Sequence, residues 1–418
     1  MATNAVAEAL ALDGGAPVRT EPFPSWPIWD EREARALLEV LNSGAWGAHA
    51  GGKSAEFCAT FAAYQDAHYG VAATNGTAAL EVALRAAGVQ PLDEVILPPY
   101  TFVASATAVL AIGAIPVFCD IRPDTFLIDA ADAERKVTPG TKAIIAVHLA
   151  GHPADMDAVL GVASRHNLCV IEDAAQAHGA AWRGRRVGAL GAAGAFSFQS
   201  SKNLNAGEGG LVVTDDRALA ERAWSLANVG RVPAGAWYQH EAMGFNLRLT
   251  EFQAALLLAQ FERLPAQYET RERNARYLDR ALAEIPGITP QARDARVTGH
   301  AHHLYLFRYD GRHFGGRDRA WFLRALRAEG IPCSPGYTTP LYRMRAVIDE
   351  RRKWADLARA AGRPVGLPPS PDAEALPVTE RACAEEGVWL GQSVLLATEA
   401  DMAQVVEAVA KVQRAATQ

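Results

Sequence analysis

Between residues 70 and 214, short apolar runs alternate with stretches patterned as helices, and nothing else in the chain limits its fold so strongly. "GVAAT" reads as a strand and "GTAALEVALRAAGV" as a helix. "DEVILPP" is a strand, "TFVASATAVLAIG" a helix, and "IPVFCDI" and "KAIIAVHLAG" strands. "ADMDAVLGVASRHN" is a helix, followed by the strands in "LCVIEDAA", "GAFSFQSS" and "GGLVVTDD". Strands apolar on both faces, spaced by helices, predict an α/β fold with a mainly parallel sheet covered on both sides. Such sheets take ligands in the crevice beyond the carboxyl ends of their strands. The residues there are Asn75-Gly76-Thr77, Tyr100-Thr101-Phe102, His148, Asp173 to Gln176, and Ser197 to Lys202.

The flanks fill out the organisation. Residues 1–30 read as an irregular N-terminal arm, and "DEREARALLEVLNSG" as a helix stopped at Gly44. "SAEFCATFAAYQDAHYG" is a second amphipathic helix, and "TEFQAALLLAQFERLPAQYETRERNARYLDRALAEI" a long helical stretch. The predicted division is the arm 1–30, a large domain 31–265 that carries the sheet and a smaller C-terminal α/β domain 266–418.

Bulk properties exclude several classes. At 418 residues with net charge -6, the chain has no polybasic run to suggest nucleic acid or an anionic membrane surface. No apolar run approaches the ~20 residues of a membrane span. The start lacks a basic segment followed by an apolar core, so no signal peptide is expected. Cys58, Cys119, Cys169, Cys333 and Cys383 are widely spaced and form neither a CxxC pair nor a metal-ligand cluster. Reduced thiols in a cytoplasmic enzyme without a metal are expected.

Three strand-end motifs carry chemistry. Asn75-Gly76-Thr77 opens a helix, where free N–H groups suit a phosphate; a plain helix cap is the other use of its Thr. In Glu172-Asp173 only one carboxylate can face the crevice, because neighbours on a strand point to opposite sides. It could hold a metal, cap a helix or bond a protonated ring nitrogen, and no second carboxylate or histidine stands at metal spacing. The third motif is "SFQSSKNLNAGEGG". The chain has only six lysines, and Lys202 stands before the glycines rather than after them, which argues against a P-loop. A lysine not replaced by arginine is useful for its amine. A Schiff-base lysine and an acid facing a pyridinium nitrogen together mark pyridoxal phosphate (PLP). Gly76, Thr77 and Ser197 would hold its phosphate, and the ring of Phe102 offers a flat face for stacking. His178 is a ligand or base, or a hydrogen-bonded structural histidine; His302 and His303 read as packed strand residues.

On these residues the chain resembles the PLP-dependent sugar and cyclitol aminotransferases of the DegT/StrS family, of the fold type I class. The matching motifs are "VAATNGTAALEVALRA", "DEVILPPYTFVASATAVLAIGAIPVFCDI", "VHLAGHPADMD", "VIEDAAQAHGA", "AFSFQSSKNLNAGEGG", "GFNLRLTEFQAALLLAQ" and "IPCSPGY", in the family's order from about residue 40 to about residue 340. The resemblance implies that Lys202 forms the internal aldimine and then moves protons, and that Asp173 pairs with the ring nitrogen. It places Gln176 beside the ring and Phe102 on the other face, with Gly76, Thr77 and Ser197 on the phosphate. Asn246 would reach the phosphate of a neighbouring subunit in a homodimer with shared active sites. The implied reaction moves an amino group from L-glutamine or L-glutamate to a keto-cyclitol or keto-sugar in aminocyclitol or aminosugar biosynthesis. "GAWGAHAGG", "HAHHLYLFRYD" and "PCSPGYTTPLY" resemble the cyclitol branch, which uses L-glutamine. Two motifs depart from the family: its "NHG" is Asn228-Val229-Gly230-Arg231 here, and its "HLYG" is His148-Leu149-Ala150-Gly151. For Arg231 and Tyr337 a substrate contact and a structural role both stand. The alternatives are a nucleotide-keto-sugar aminotransferase, a dehydratase of the same fold, which would carry histidine in place of Lys202, and a sensor that has lost catalysis.

Overall fold

The computed structural model describes residues 9–368 and 373–417; residues 1–8 of the expected arm, and 369–372 and 418 of the expected small domain, lie outside them. Helix α1 (Glu31–Ser43) starts at a capping box, in which Asp30 accepts from the first turn and Glu33 reaches back to the cap. It stops where Gly44 turns left-handed at φ 68°. After α2 (Lys53–Tyr64) the alternating region follows as β1 (Tyr69–Ala73), α3 (Gly76–Ala86), β2 (Glu94–Leu97), α4 (Ala104–Ala111), β3 (Ile115–Phe118), α5 (Ala130–Arg135) and β4 (Thr141–Val147). It continues through α6 (Met156–His166), β5 (Cys169–Asp173), β6 (Ala181–Trp182), β7 (Arg185–Arg186), β8 (Ala193–Ser197), β9 (Gly210–Thr214) and α7 (Arg217–Ala227).

Seven of these strands form one sheet in the order β1-β9-β8-β5-β4-β2-β3. The pairs β2–β3, β2–β4, β4–β5 and β5–β8 are parallel, and β9 runs antiparallel between β1 and β8. Side-chain alternation splits the strands between two cores. Val95, Leu97, Ile145, Val147 and Ile171 pack on one face with residues of α3 and α4, whereas Ile96, Ile144, Ala146, Val170 and Phe196 pack on the other with residues of α2 and α6.

The predicted long helix is two: α8 (Glu251–Phe261) and α9 (Leu264–Leu282), broken at Glu262-Arg263. Pro265 explains the break. It lacks an N–H and fits only the first turn of a helix, so it begins α9 rather than continuing α8. Beyond come β10 (Ile288–Pro290), β11 (Val297–Gly299), β12 (Leu304–Tyr309), α10 (Arg319–Ala328), α11 (Arg345–Ala360), α12 (Pro377–Arg381), β13 (Gly387–Gly391) and α13 (Glu399–Ala416). β10, β12 and β13 form an antiparallel sheet over a third core that includes Leu278, Phe307, Phe322 and Val405, with Leu10 from the arm. Two parts of this later sequence reach back. β11 pairs with β6, and Leu341, Tyr342 and Val347 join the core on one face of the large sheet.

Candidate active site

The carboxyl ends of β5 and β8, the turn after β1 and the loop after β2 converge. Asp173 ends β5, and it is buried at 6 % exposure. Its Oδ2 accepts from the Ser105 hydroxyl at 2.7 Å, and its Oδ1 accepts from the Ala175 N–H at 3.3 Å. Burial pushes its carboxyl above the usual range, opposed by Ser105, by the Ala175 N–H and by the charge of Lys202. Glu172 faces the other way, as strand alternation requires. Its oxygens accept from the N–H groups of Gly188, Leu190 and Gly191, and His148 Nε2 lies 3.0 Å away. His148 Nδ1 accepts from the Ala154 N–H, so Nε2 carries the proton and donates to Glu172. Glu172 and His148 are thus structural, and only Asp173 looks into the crevice.

Lys202 lies in the loop between β8 and β9, and hydrogen bonds close that loop on itself. Phe198 N–H donates to Gly209 O, Ser200 N–H to Gly207 O, and Lys202 N–H to Gln199 O. Trp26 Nε1 donates to Ser200 O from outside, and Asn203 Nδ2 donates to Ala301 O. Burial lowers the Lys202 amine from 10.5 to about 8, and the negative charge of Asp173 opposes the shift. The two groups that sequence singled out for opposite charges therefore feel one another in a dry setting.

The turn after β1 is built against β8. Asn75 caps α3, its side chain accepting from Ala78 N–H at 2.9 Å. The cap is thus Asn75 and not Thr77, and the N–H groups of Gly76 and Thr77 have no partner within the helix. A Cβ on Gly76 would lie 2.7 Å from the Cβ of Ser197. A Cβ on Gly210 would lie 2.2 Å from Asn75 O. Both glycines are needed for the helix start to sit beside the Ser197 hydroxyl. Free N–H groups, a helix's positive end and a hydroxyl form a donor set suited to a phosphate.

Gln176 accepts from the Ala150 N–H at 2.6 Å, so the "HLAG" turn holds its amide. Tyr337 lies near both Gln176 and Asp173, with its hydroxyl pushed above the usual range by burial; it packs edge-on against Tyr100 and Trp389. Phe102 is 59 % exposed beyond β2, its carbonyl accepting from Ser105 N–H. Asn246 stands apart. It is exposed, its backbone bridges to Asn228, and among the described residues no hydrogen bond joins it to the others.

His178 is buried, its Nε2 donates to Ser197 O at 3.0 Å, and burial and the Lys202 charge lower it to about 3. It braces the strand end that carries Ser197. His302 and His303 are buried, and no group of His, Cys, Asp and Glu among the described residues could hold a metal. Ser105 escaped the sequence reading, and Thr101 was named there only as a strand-end residue without a role; the available signal was a pair of hydroxyls four residues apart in a largely apolar stretch.

A half-buried lysine near a buried carboxylate beside a helix N-terminus, at the carboxyl edge of a mainly parallel sheet with a smaller C-terminal α/β unit, defines the fold type I architecture of PLP-dependent aminotransferases. The model of the DegT/DnrJ/EryC1/StrS aminotransferase family matches residues 27–410, and the chain belongs to that family. It is 42 % identical over 411 residues to a provisional L-glutamine:3-amino-2,3-dideoxy-scyllo-inosose aminotransferase of Streptoalloteichus tenebrarius, covering 97 % of this chain and 98 % of the relative. It is also 42 % identical over 427 residues to the L-glutamine:2-deoxy-scyllo-inosose aminotransferase of Streptomyces lividus, covering 98 % of both. Among solved structures, 3-amino-5-hydroxybenzoic acid (AHBA) synthase superposes with a TM-score of 0.85 at 35 % identity, covering 94 % of this chain and 99 % of that one.

Proposed function

We propose that this aminotransferase holds PLP on Lys202 and moves the amino group of L-glutamine to the ketone of a free six-membered cyclitol. The lowered amine of Lys202, within reach of the charge of the buried Asp173, carries the cofactor part. The full-length likeness to two glutamine-dependent inosose aminotransferases supports the donor and acceptor class. The site fits the cofactor in three respects: the Gly76–Ser197 cradle with its free N–H groups, the buried acid, and an amine displaced toward neutral pH.

When bound, PLP supplies an aldehyde that takes up amino groups and a ring that withdraws electrons. The protein does the rest. Asp173 would hold a positive charge on the ring nitrogen, and Gly76, Thr77 and Ser197 would bind the phosphate. Phe102 and Gln176 would hold the ring. Lys202 would tether the cofactor and, as a free amine, would move the proton at the donor's α-carbon. With its pKa near 8, roughly a tenth of the amine is a free base at pH 7, against less than ~0.1 % at 10.5. Arginine could not take this part.

In this reading the arm is 1–30, the cofactor-binding domain 31–265 and the small domain 266–418, with β11 and residues 341–347 reaching back. A homodimer is part of it. Trp237, Tyr238 and Met243 are 79, 78 and 86 % exposed on the segment leading to Asn246, the kind of patch a partner covers. No helix among the described residues is long and apolar enough to cross a membrane, and all five cysteines are free, as suits a cytoplasmic enzyme.

The test is a half-reaction assay on PLP-loaded protein. L-Glutamine and L-glutamate are compared as donors, then 2-deoxy-scyllo-inosose and nucleotide-linked keto-sugars as acceptors. Amination of the free inosose with glutamine is expected; conversion of nucleotide sugars alone would overturn the acceptor class. Sedimentation of the same sample should give the dimer mass, and a monomer that turns over would refute the shared site.

A further inference from the structure

Asp173 must stay ionised in a dry site to hold a proton on a ring nitrogen. Among the described residues it has no ion pair within contact distance, and its one close donor is Ser105. Ser105 is fully buried on α4, between neighbours that pack into the apolar core, such as Ala106, Ala108 and Val109. A serine within a helix commonly turns its hydroxyl onto its own backbone. Here the hydroxyl leaves the helix and meets an acid 68 residues away. Behind it, Thr101 Oγ1 lies 3.1 Å from Ser105 Oγ. A hydroxyl has a single proton and an ionised carboxylate only accepts, so the Ser105 proton goes to Asp173 and the Thr101 proton to Ser105. Two hydroxyls aligned head to tail polarise one another toward a single carboxylate oxygen. Oδ1, with only the long bond from Ala175, keeps the spare acceptor capacity.

We propose that Ser105, backed by Thr101, is a positioning residue that keeps Asp173 ionised and leaves its Oδ1 for the PLP ring nitrogen. The inference rests on the cofactor reading above. Removing the Ser105 hydroxyl leaves the buried acid without its strong donor, with the Ala175 N–H and the charge of Lys202 left to favour its ionised form. The carboxyl then takes up a proton more readily, and the ring nitrogen loses its negative partner.

The experiment uses holoprotein loaded with PLP labelled with 15N at the ring nitrogen. The ring-nitrogen resonance and the pH midpoint of the bound cofactor's visible band are recorded for the unsubstituted protein and for Ser105→Ala, Ser105→Thr and Thr101→Val, with melting curves to confirm folding. In Ser105→Ala the resonance should move toward that of unprotonated nitrogen. The midpoint should rise by about one pH unit, as expected for a lost hydrogen bond to a charged group. Ser105→Thr, which keeps the hydroxyl, should restore both, and Thr101→Val should shift both less. Unchanged values in Ser105→Ala would overturn the proposal, as would a shift in Ser105→Thr as large as in Ser105→Ala, which would indicate packing alone. If Ser105→Ala does not fold, unchanged values in Thr101→Val overturn it. If the unsubstituted protein takes up no PLP, the cofactor reading fails and this inference with it. Normal uptake with Ser105→Ala indistinguishable overturns this inference alone.

Discussion

At the scale of single residues, the molecule sets an amine and an acid in a place unfavourable to the charge of either. Lys202 has a folded pKa of about 8 against 10.5 when exposed. Below pH 8 both the folded and unfolded chains are protonated there, and the folded state bears the whole desolvation penalty. Between 8 and 10.5 the unfolded chain binds more protons, so stability rises with pH. Lys202→Met should therefore stabilise the cofactor-free protein at pH 7 by up to about 3 kcal/mol. Solvent at the partly exposed side chain makes that an upper figure. The advantage should shrink as pH climbs from 8 toward 10.5. Urea unfolding at both ends of the range checks this, and a variant less stable than the parent at pH 7 would contradict it. Lys202 and Asp173 were legible in the sequence because their chemistry is rare at a strand end. Ser105 was not, because it lies on a helix and bonds an acid on a strand 68 residues away, and local pattern carries no trace of that.

At the scale of elements, strand and helix periods were readable wherever burial is two-sided or amphipathic. β2, β4 and β5 appear where the apolar runs predicted, and α1 ends at Gly44 as expected. The two-residue strands β6 and β7 have no periodicity to read, and β11 gains its place from pairing with β6. The α8–α9 break shows a local rule, proline in a first turn, prevailing over an unbroken helical pattern. The joint between β1, α3 and β8 would set the proposed phosphate cradle. Gly76→Ala places a methyl carbon 2.7 Å from the Cβ of Ser197, with rigid strand behind it. The helix start must move away, so PLP affinity should fall at least ~10-fold while most of the fold survives. Equilibrium dialysis of PLP against both proteins measures it, and equal affinities would remove Gly76 from the cradle.

At the scale of the whole molecule, the sheet's strand order explains why distant motifs meet. β5 lies next to β8, and β9 lies between β8 and β1, so Asp173, Ser197, Lys202 and Gly76 share one edge although 126 positions separate the first and last of them in sequence. That convergence was foreseen from the alternation alone. The small domain was less legible, since its antiparallel sheet draws on three separated segments and the arm lends Leu10 to its core. Asn246 stands apart from the site within the single chain, and only the proposed dimer would bring it to a phosphate; Trp237, Tyr238 and Met243 lie exposed on the segment before it. The central claim is that one lysine of six holds the cofactor, and borohydride reduction of PLP-loaded protein followed by peptide mass spectrometry tests it most directly. The predicted result is one pyridoxyl-phosphate group per chain, on the peptide bearing Lys202 and lost in Lys202→Ala; stable attachment at another lysine, or none, would contradict it.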